Sequence, residues 1–363
     1  ACAKHFVVHS GPEAQRHIFN AKASQRDMAM TYLPAFEALV RKADVAGVMG
    51  AYNRTNGRAC CADKGLLIDL LRRDWNFEGY VVSDCGAIRD IYQGHNLVEG
   101  PQEAAAMAVR AGCDLNCGDT YQFLLEAVGK GLLTESDIDR ALTHLFNIRF
   151  RLGMFDPPEM VPYAQIPLEA VDSPANQALA LEVARQSLVL LKNHDGLLPL
   201  RKDLSSIAVI GPNADDPLVL RGNYYGTPSE TTTILQGIQA MVSPNAVVSY
   251  IKGCEIMNPG RDGFDEAVRI AAEAEVVLMV LGLSQQVEGE EGQEEGISNG
   301  AVSQGDRTDI TLPGEQGALL EAVVATGTPV VLVLVNGGPI AINWANDHVP
   351  AILEAWYPGQ AGG

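Results

Sequence analysis

The sequence predicts an α/β fold in two parts, and three observations carry that reading. Short apolar runs alternate with amphipathic stretches whose apolar residues recur at three- and four-residue spacing. In the first 154 positions the strand-to-strand period is roughly 35–45 residues, as parallel strands joined by crossover helices require. A stretch rich in proline and polar residues, 155–176, then separates this set from a second one. The first set has about four repeats where a (β/α)8 TIM-type barrel needs eight, so residues 1–154 read as the second half of such a barrel. Residues 177–363 read as an open, mostly parallel α/β sheet.

Each element has its own justification. In the first part, CAKHFVV (2–8), VAGVMGAY (45–52), GYVVSDC (79–85) and CDLNCG (113–118) are the strand candidates. Helical periodicity covers 24–43, 64–75, 102–112 and 134–153, the last opening on a capping-box pattern of Thr134 and Asp137. In the second part a helix is expected over 177–193. Strands follow at 205–211, 246–254, 276–283, 329–338 and 350–358, with helices near 264–274 and 314–326. The Gly/Glu-rich stretch 287–306 is a long loop, a length at which loops are often functional.

Composition narrows the function. The chain has 363 residues, 47% hydrophobic and 20% charged, which is the balance of a globular protein. A net charge of −19 argues against nucleic acid and against anionic membrane surfaces. It suits a neutral substrate, and it equally suits simple solubility. The apolar runs fall short of the roughly 18 residues that a bilayer demands. Seven cysteines, an odd number without a CxxC pair, predict neither a zinc site nor a disulfide framework. A bond between the adjacent Cys60 and Cys61 would be strained, so both are expected as thiols. The chain opens into a strand without Met or a signal peptide and stops just after another strand, so both ends read as cut.

Polar residues gather where the first-part strands end: Lys4-His5, Asn53-Arg54, Ser83-Asp84 and Asn116. In a β/α barrel that rim holds the active site. Asp84 at the end of GYVVSD is a carboxylate that a rigid strand could aim into a pocket; it could equally cap a helix or form a turn. Lys4 and His5 could hydrogen-bond sugar hydroxyls, or be a snorkelling lysine and a core histidine. Glu288, Glu290 and Glu291 form a crowded acidic group. Crowding raises a carboxyl pKa as a general acid requires, although a solvated acidic loop has the same composition. No GxGxxG, P-loop, GxSxG or HExxH pattern occurs.

Taken together and in order, AKHFVVHSGPE (3–13), VMGAYNRTNG (48–57), LLIDLLRRDWNFEGYVVSDCGAI (66–88), AGCDLNCG (111–118), RFRLGMFD (149–156), SLVLLKN (187–193), AVIGPNA (208–214), EGEEG (288–292), GDR (305–307) and AWYPGQAGG (355–363) resemble glycoside hydrolase family 3. The resemblance runs over essentially the whole chain and looks closest to the bacterial β-glucosidase and β-xylosidase branch. It implies a (β/α)8 barrel followed by an α/β sandwich, here without the upstream half-barrel and short of the usual C-terminus. It implies a retaining hydrolase of terminal β-linked sugars that needs no cofactor and no metal, and a periplasmic or secreted location. By matching motifs it assigns the nucleophile to Asp84 and the acid/base to Glu290, with Glu288 and Glu291 as alternatives. Lys4, His5, Tyr52 and Glu13 become sugar contacts. The stretch KHFVVHSGPE differs from the KHFPGHG type of the family's N-acetylglucosaminidases, which argues against a histidine acid/base.

The partner this implies is a small β-linked carbohydrate, with glucose slightly preferred to xylose. Two other classes stay open. One is a non-catalytic carbohydrate-binding or scaffold protein of the same fold. The other is a nucleotide-binding oxidoreductase, suggested only by the α/β pattern and weakened by the missing glycine fingerprint.

Overall fold

The computed structural model describes residues 1–9, 11–288, 307 and 309–363. It divides into two compact units, Ala1–Pro167 and Leu168–Gly363.

In the first unit, the strand Gly47–Gly50 lies between Cys2–Phe6 and Tyr80–Ser83, all parallel. Leu115 adds a single parallel bridge to Val82 on the far side of Tyr80–Ser83. The strands are thus laid down in sequence order, each returning through helices, as right-handed β/α crossovers dictate. Of the expected run 113–118 only that bridge forms. Helices Pro34–Arg41, Gly65–Asp74 and Pro101–Ala111 cover the sheet. The periodic stretch 24–43 is not one helix: it changes geometry over Met28–Tyr32 and restarts at Pro34, where a proline is tolerated because the first-turn N–H has no acceptor. Glu135–Arg151 begins with the expected reciprocal hydrogen bonds between Thr134 and Asp137. Phe6, Leu67, Leu71, Val81, Ile88 and Ile91 are fully buried in one core, each leucine-sized side chain contributing roughly 1.5–3 kcal/mol.

A hairpin follows the second strand. Arg54–Thr55 pairs antiparallel with Arg58–Ala59. Its two loop residues, Asn56 and Gly57, have φ of 52° and 90°, the Asn-Gly turn whose twist matches paired strands.

The second unit is built on a six-stranded sheet. In spatial order its strands are Val189–Asn193, Ala351–Glu354, Val330–Val335, Val276–Gly282, Ser206–Ile210 and Val247–Ile251. All pairs are parallel except that between Val189–Asn193 and Ala351–Glu354. Every residue of Val276–Gly282 is buried, because helices cover both faces of the sheet. Phe264–Glu273 and Gln316–Val324 supply one face. Ile234–Met241 packs on the other. The helix expected over 177–193 is corrected: it runs Pro174–Ser187, and Val189–Asn193 is the antiparallel edge strand. The short apolar run Leu188–Leu191 fits both periods, and here pairing with a segment some 160 residues later decides it.

No helix among the described residues is long and apolar enough to cross a membrane.

Candidate active site

Asp84 follows directly on the strand Tyr80–Ser83 and is held from three sides. Its own N–H donates to the Gly50 carbonyl, Ala87 N–H donates to its carbonyl, and Cys85 N–H donates to its Oδ1 at 2.9 Å. Gly86, with φ 85°, turns the chain into the helix Ala87–Gln93. Asp84 is 7% exposed. Its Oδ2 lies 3.4 Å from His5 Nε2 and has no hydrogen bond among the described residues. One oxygen is therefore anchored and the other is not.

His5 sits on the first strand with its ring half-buried. Burial is the largest influence on it and lowers its pKa, against the upward pull of Asp84; the Lys4, His9 and Arg16 charges lower it further. His5 is thus favoured as a neutral imidazole that can donate to an oxygen. Lys4 is exposed and lies within electrostatic reach of His5.

A chain of ring contacts runs on from this pair. The His5 and His9 rings are 4.8 Å apart, His9 and Tyr52 5.9 Å, and His17 meets Tyr52 edge-on at 4.7 Å. Arg16 covers the Tyr52 ring at 5.4 Å. His17 Nδ1 is 2.8 Å from Asp90 on the helix that begins just beyond Asp84. The structure therefore links Asp84, His5 and Tyr52 through residues that sequence reasoning had not singled out: His9, Arg16, His17 and Asp90. The signal for His9, Arg16 and His17 was density, three histidines and an arginine within HFVVHSGPEAQRH (5–17); Asp90 had none. Glu13 opens a short turn, Glu13–Gln15, but its side chain lies outside the described residues.

The cysteine reading needs a correction. Cys85, next to Asp84, is disulfide-bonded to Cys117, with Cα atoms 4.4 Å apart. The two are separated by 32 positions, and the bridge between Val82 and Leu115 brings their segments into bonding range. Cys117 N–H and Asn116 Nδ2 both donate to Ser83 Oγ, and Gly86 N–H donates to the Cys117 carbonyl. The loop ends on either side of Asp84 are thus joined covalently and by hydrogen bonds. Cys60 and Cys61 are buried free thiols, as expected.

Beneath the ring cluster His95 is 4% exposed. Burial first, then the Arg54 and His17 charges, push its pKa down to about 4, against an opposing Tyr52 backbone contact. The folded state therefore holds this ring neutral where the unfolded chain, titrating near 6.5, takes up a proton. Its contribution to stability is complete above pH 6.5 and is lost as pH falls towards 4, by up to about 3 kcal/mol. Urea unfolding at a series of pH values is expected to show this loss, and His95→Asn is expected to flatten the slope in that window.

In the second unit Glu290 and Glu291 lie outside the described residues. Glu288 is described, and its carboxylate is occupied: Gly337 N–H and Tyr357 O–H donate to Oε2, and Gly338 N–H donates to Oε1. No group of three or more potential metal ligands occurs among the described residues.

The chain matches the glycosyl hydrolase family 3 N-terminal domain over residues 1–148 and the family 3 C-terminal domain over residues 188–363. It belongs to glycoside hydrolase family 3. The Arabidopsis thaliana protein named probable β-D-xylosidase 7 is 42% identical over 372 aligned residues, covering all of this chain and 46% of its own length. The β-xylosidase/α-L-arabinofuranosidase 1 of Medicago sativa subsp. varia is 39% identical with the same coverage. Among solved structures, a family 3 exo-β-xylosidase bound to a xylobiose aziridine probe superposes with a TM-score of 0.89 at 33% identity, over all of this chain and 46% of that one. A β-glucosidase from Erythrobacter marinus superposes at 0.87 and 33% identity, over 99% of this chain and 50% of that one. The chain thus spans about half the length of the curated relatives it matches. Family members of this likeness are glycoside hydrolases.

Proposed function

We propose that the full-length protein carrying this chain is a retaining exo-β-glycosidase that releases terminal β-D-xylose, with β-D-glucose as the second choice. The observation that supports it most is the state of Asp84: a buried carboxylate on a rigid strand end, one oxygen anchored by Cys85 N–H and the other free beside His5. That is what an attacking carboxylate needs. The names of the similar relatives move the sugar preference from glucose to xylose.

In the first step Asp84 Oδ2 forms a bond to the anomeric carbon while the bond to the leaving oxygen breaks. Glu290 supplies the proton that oxygen takes up. In the second step Glu290 takes a proton from water, water attacks the anomeric carbon, and the Asp84 ester bond breaks. His5 and Lys4 would hold sugar hydroxyls, with Tyr52 and Glu13 as further sugar contacts. The first unit is read as half of a (β/α)8 barrel, a reading supported by the sequential parallel order of its strands.

Kinetics of Glu290→Ala in the full-length protein test the acid/base role. Substrates with poor leaving groups are expected to lose about 100-fold or more in kcat/KM, since general acid catalysis contributes about that much. On substrates with good leaving groups, where breakdown of the glycosyl-enzyme becomes limiting, azide is expected to restore turnover by forming a glycosyl azide. Unchanged rates on poor leaving groups would remove Glu290 from the mechanism.

A further inference from the structure

Asp84 lies where two segments distant in sequence are stitched together. Ser83 N–H donates to the Leu115 carbonyl at 2.9 Å, and Gly86 N–H donates to the Cys117 carbonyl at 2.8 Å. Ser83 Oγ accepts from Cys117 N–H at 3.0 Å and from Asn116 Nδ2 at 3.3 Å. Asn116 is held in turn, its Oδ1 accepting Tyr121 N–H at 3.0 Å. Cys85 joins the same segment through its sulfur. Ser83, Cys85 and Gly86 are thus all tied to 115–117, while Asp84 N–H bonds the opposite way, to the Gly50 carbonyl. The two turns meet backbone to backbone. A Cβ on Gly118 would lie 3.3 Å from Gly86 N, and both glycines have positive φ, 129° and 85°.

What these ties hold is the rotation of one carboxylate. Oδ1 has one donor among the described residues, Cys85 N–H, and Oδ2 has none. The torsion that turns a carboxylate is broad, so a fixed donor is what decides where each oxygen points. The direction of Cys85 N–H follows from the peptide joining Asp84 to Cys85. That peptide is pinned at Asp84 N–H by Gly50 and at Cys85 by the bond to Cys117. The hydrogen bonds around it exchange with water, whereas the covalent link does not. A misplacement of about 1 Å in a reacting group costs about a hundredfold in rate, so this restraint bears on attack.

We propose that the Cys85–Cys117 disulfide is a positioning device for the nucleophile: it fixes the Cys85 peptide, which holds Oδ1 and so aims Oδ2 at the anomeric carbon. The proposal rests on the reading of Asp84 as the nucleophile. It separates attack from binding, because the step that forms the Asp84 ester is slowed while the contacts that hold the sugar are kept.

The experiment uses the full-length protein and 2,4-dinitrophenyl 2-deoxy-2-fluoro-β-xyloside, which reports formation of the glycosyl-enzyme. Cys85→Ala combined with Cys117→Ala keeps the Cys85 N–H and removes the link. At a temperature where circular dichroism shows the variant folded, its labelling rate at saturation is expected to fall about tenfold or more. The half-saturating concentration is expected to stay within about threefold. Should the variant not fold, the native protein is reduced with dithiothreitol until two further thiols titrate. The dithiol leaves as its cyclic disulfide, and Cys85 and Cys117 become thiols. The same fall in rate is expected, with recovery on reoxidation by oxidised glutathione. A folded protein without the disulfide that labels within about twofold of the native rate would overturn the proposal. So would a loss confined to the half-saturating concentration. Asp84→Asn is run alongside: undiminished labelling in that variant would instead overturn the reading on which the proposal stands.

Discussion

Replacing Asp84 by asparagine in the full-length protein is expected to lower kcat/KM on aryl β-xylosides by at least about a thousandfold, or about 4 kcal/mol of transition-state stabilisation. The carboxamide keeps the shape of the side chain and can still accept the Cys85 N–H bond, so the strand end is expected to stay in place. What is lost is the negative charge on Oδ2, the oxygen beside His5 that carries no hydrogen bond among the described residues. A neutral amide cannot form the glycosyl ester. Retention of more than a few per cent of activity, with deamidation excluded by mass spectrometry, would remove Asp84 from the role of nucleophile.

The second large effect is on stability. Asp114, whose side chain is 2% exposed, is bonded to Arg72 at 2.5 Å and to His144 at 2.9 Å, and it accepts the Val81 N–H at 2.8 Å. Arg72 also donates to the Phe77 and Gly79 carbonyls. One carboxylate therefore ties the strand Tyr80–Ser83 to two helices, one turn of chain from Asp84. Asp114→Ala leaves a buried guanidinium without its counter-ion and Val81 N–H without an acceptor. Losing one partner of a buried pair costs about 3–5 kcal/mol, and a urea titration of the variant is expected to show a loss of that size. A change below 1 kcal/mol would mean that Arg72 is satisfied by other groups.

The sequence already showed the strands that matter most, because β-branched and apolar runs such as VVLMVLGL and GYVVSD have few other uses. It placed Asp84 at a strand end and the capping box at Thr134 for local reasons, and local reasons survive folding. It failed where the deciding contact is distant. Val189–Asn193 is a strand only because Ala351–Glu354 lies beside it. The run 113–118 yields one bridge, and the Asp114 side chain beside it meets Arg72 and His144 from distant helices. Cys85 and Cys117 carry no spacing signature, since their bond follows from a single bridge between distant segments, Val82 to Leu115. In the site, Asp84 and His5 were visible as polar residues interrupting apolar strands. Arg16, His17 and Asp90 were not, because Arg16 and His17 approach Tyr52 from a loop with no periodic pattern and Asp90 meets His17 from a distant helix. The contacts of Glu288 were equally hidden, since a carboxylate satisfied by backbone amides looks in sequence like any other glutamate.

Covalent trapping tests the central claim most directly. The full-length protein is incubated with 2,4-dinitrophenyl 2-deoxy-2-fluoro-β-xyloside and with the matching glucoside, digested, and mapped by mass spectrometry. The electronegative fluorine slows both formation and breakdown of the glycosyl-enzyme, and the good leaving group speeds formation alone, so the intermediate accumulates. The account predicts one sugar per chain, on the peptide holding Asp84, forming faster with the xyloside. A label on a different carboxylate, or no label from either sugar on a folded protein, would contradict it, and the latter would favour a carbohydrate-binding protein without catalysis.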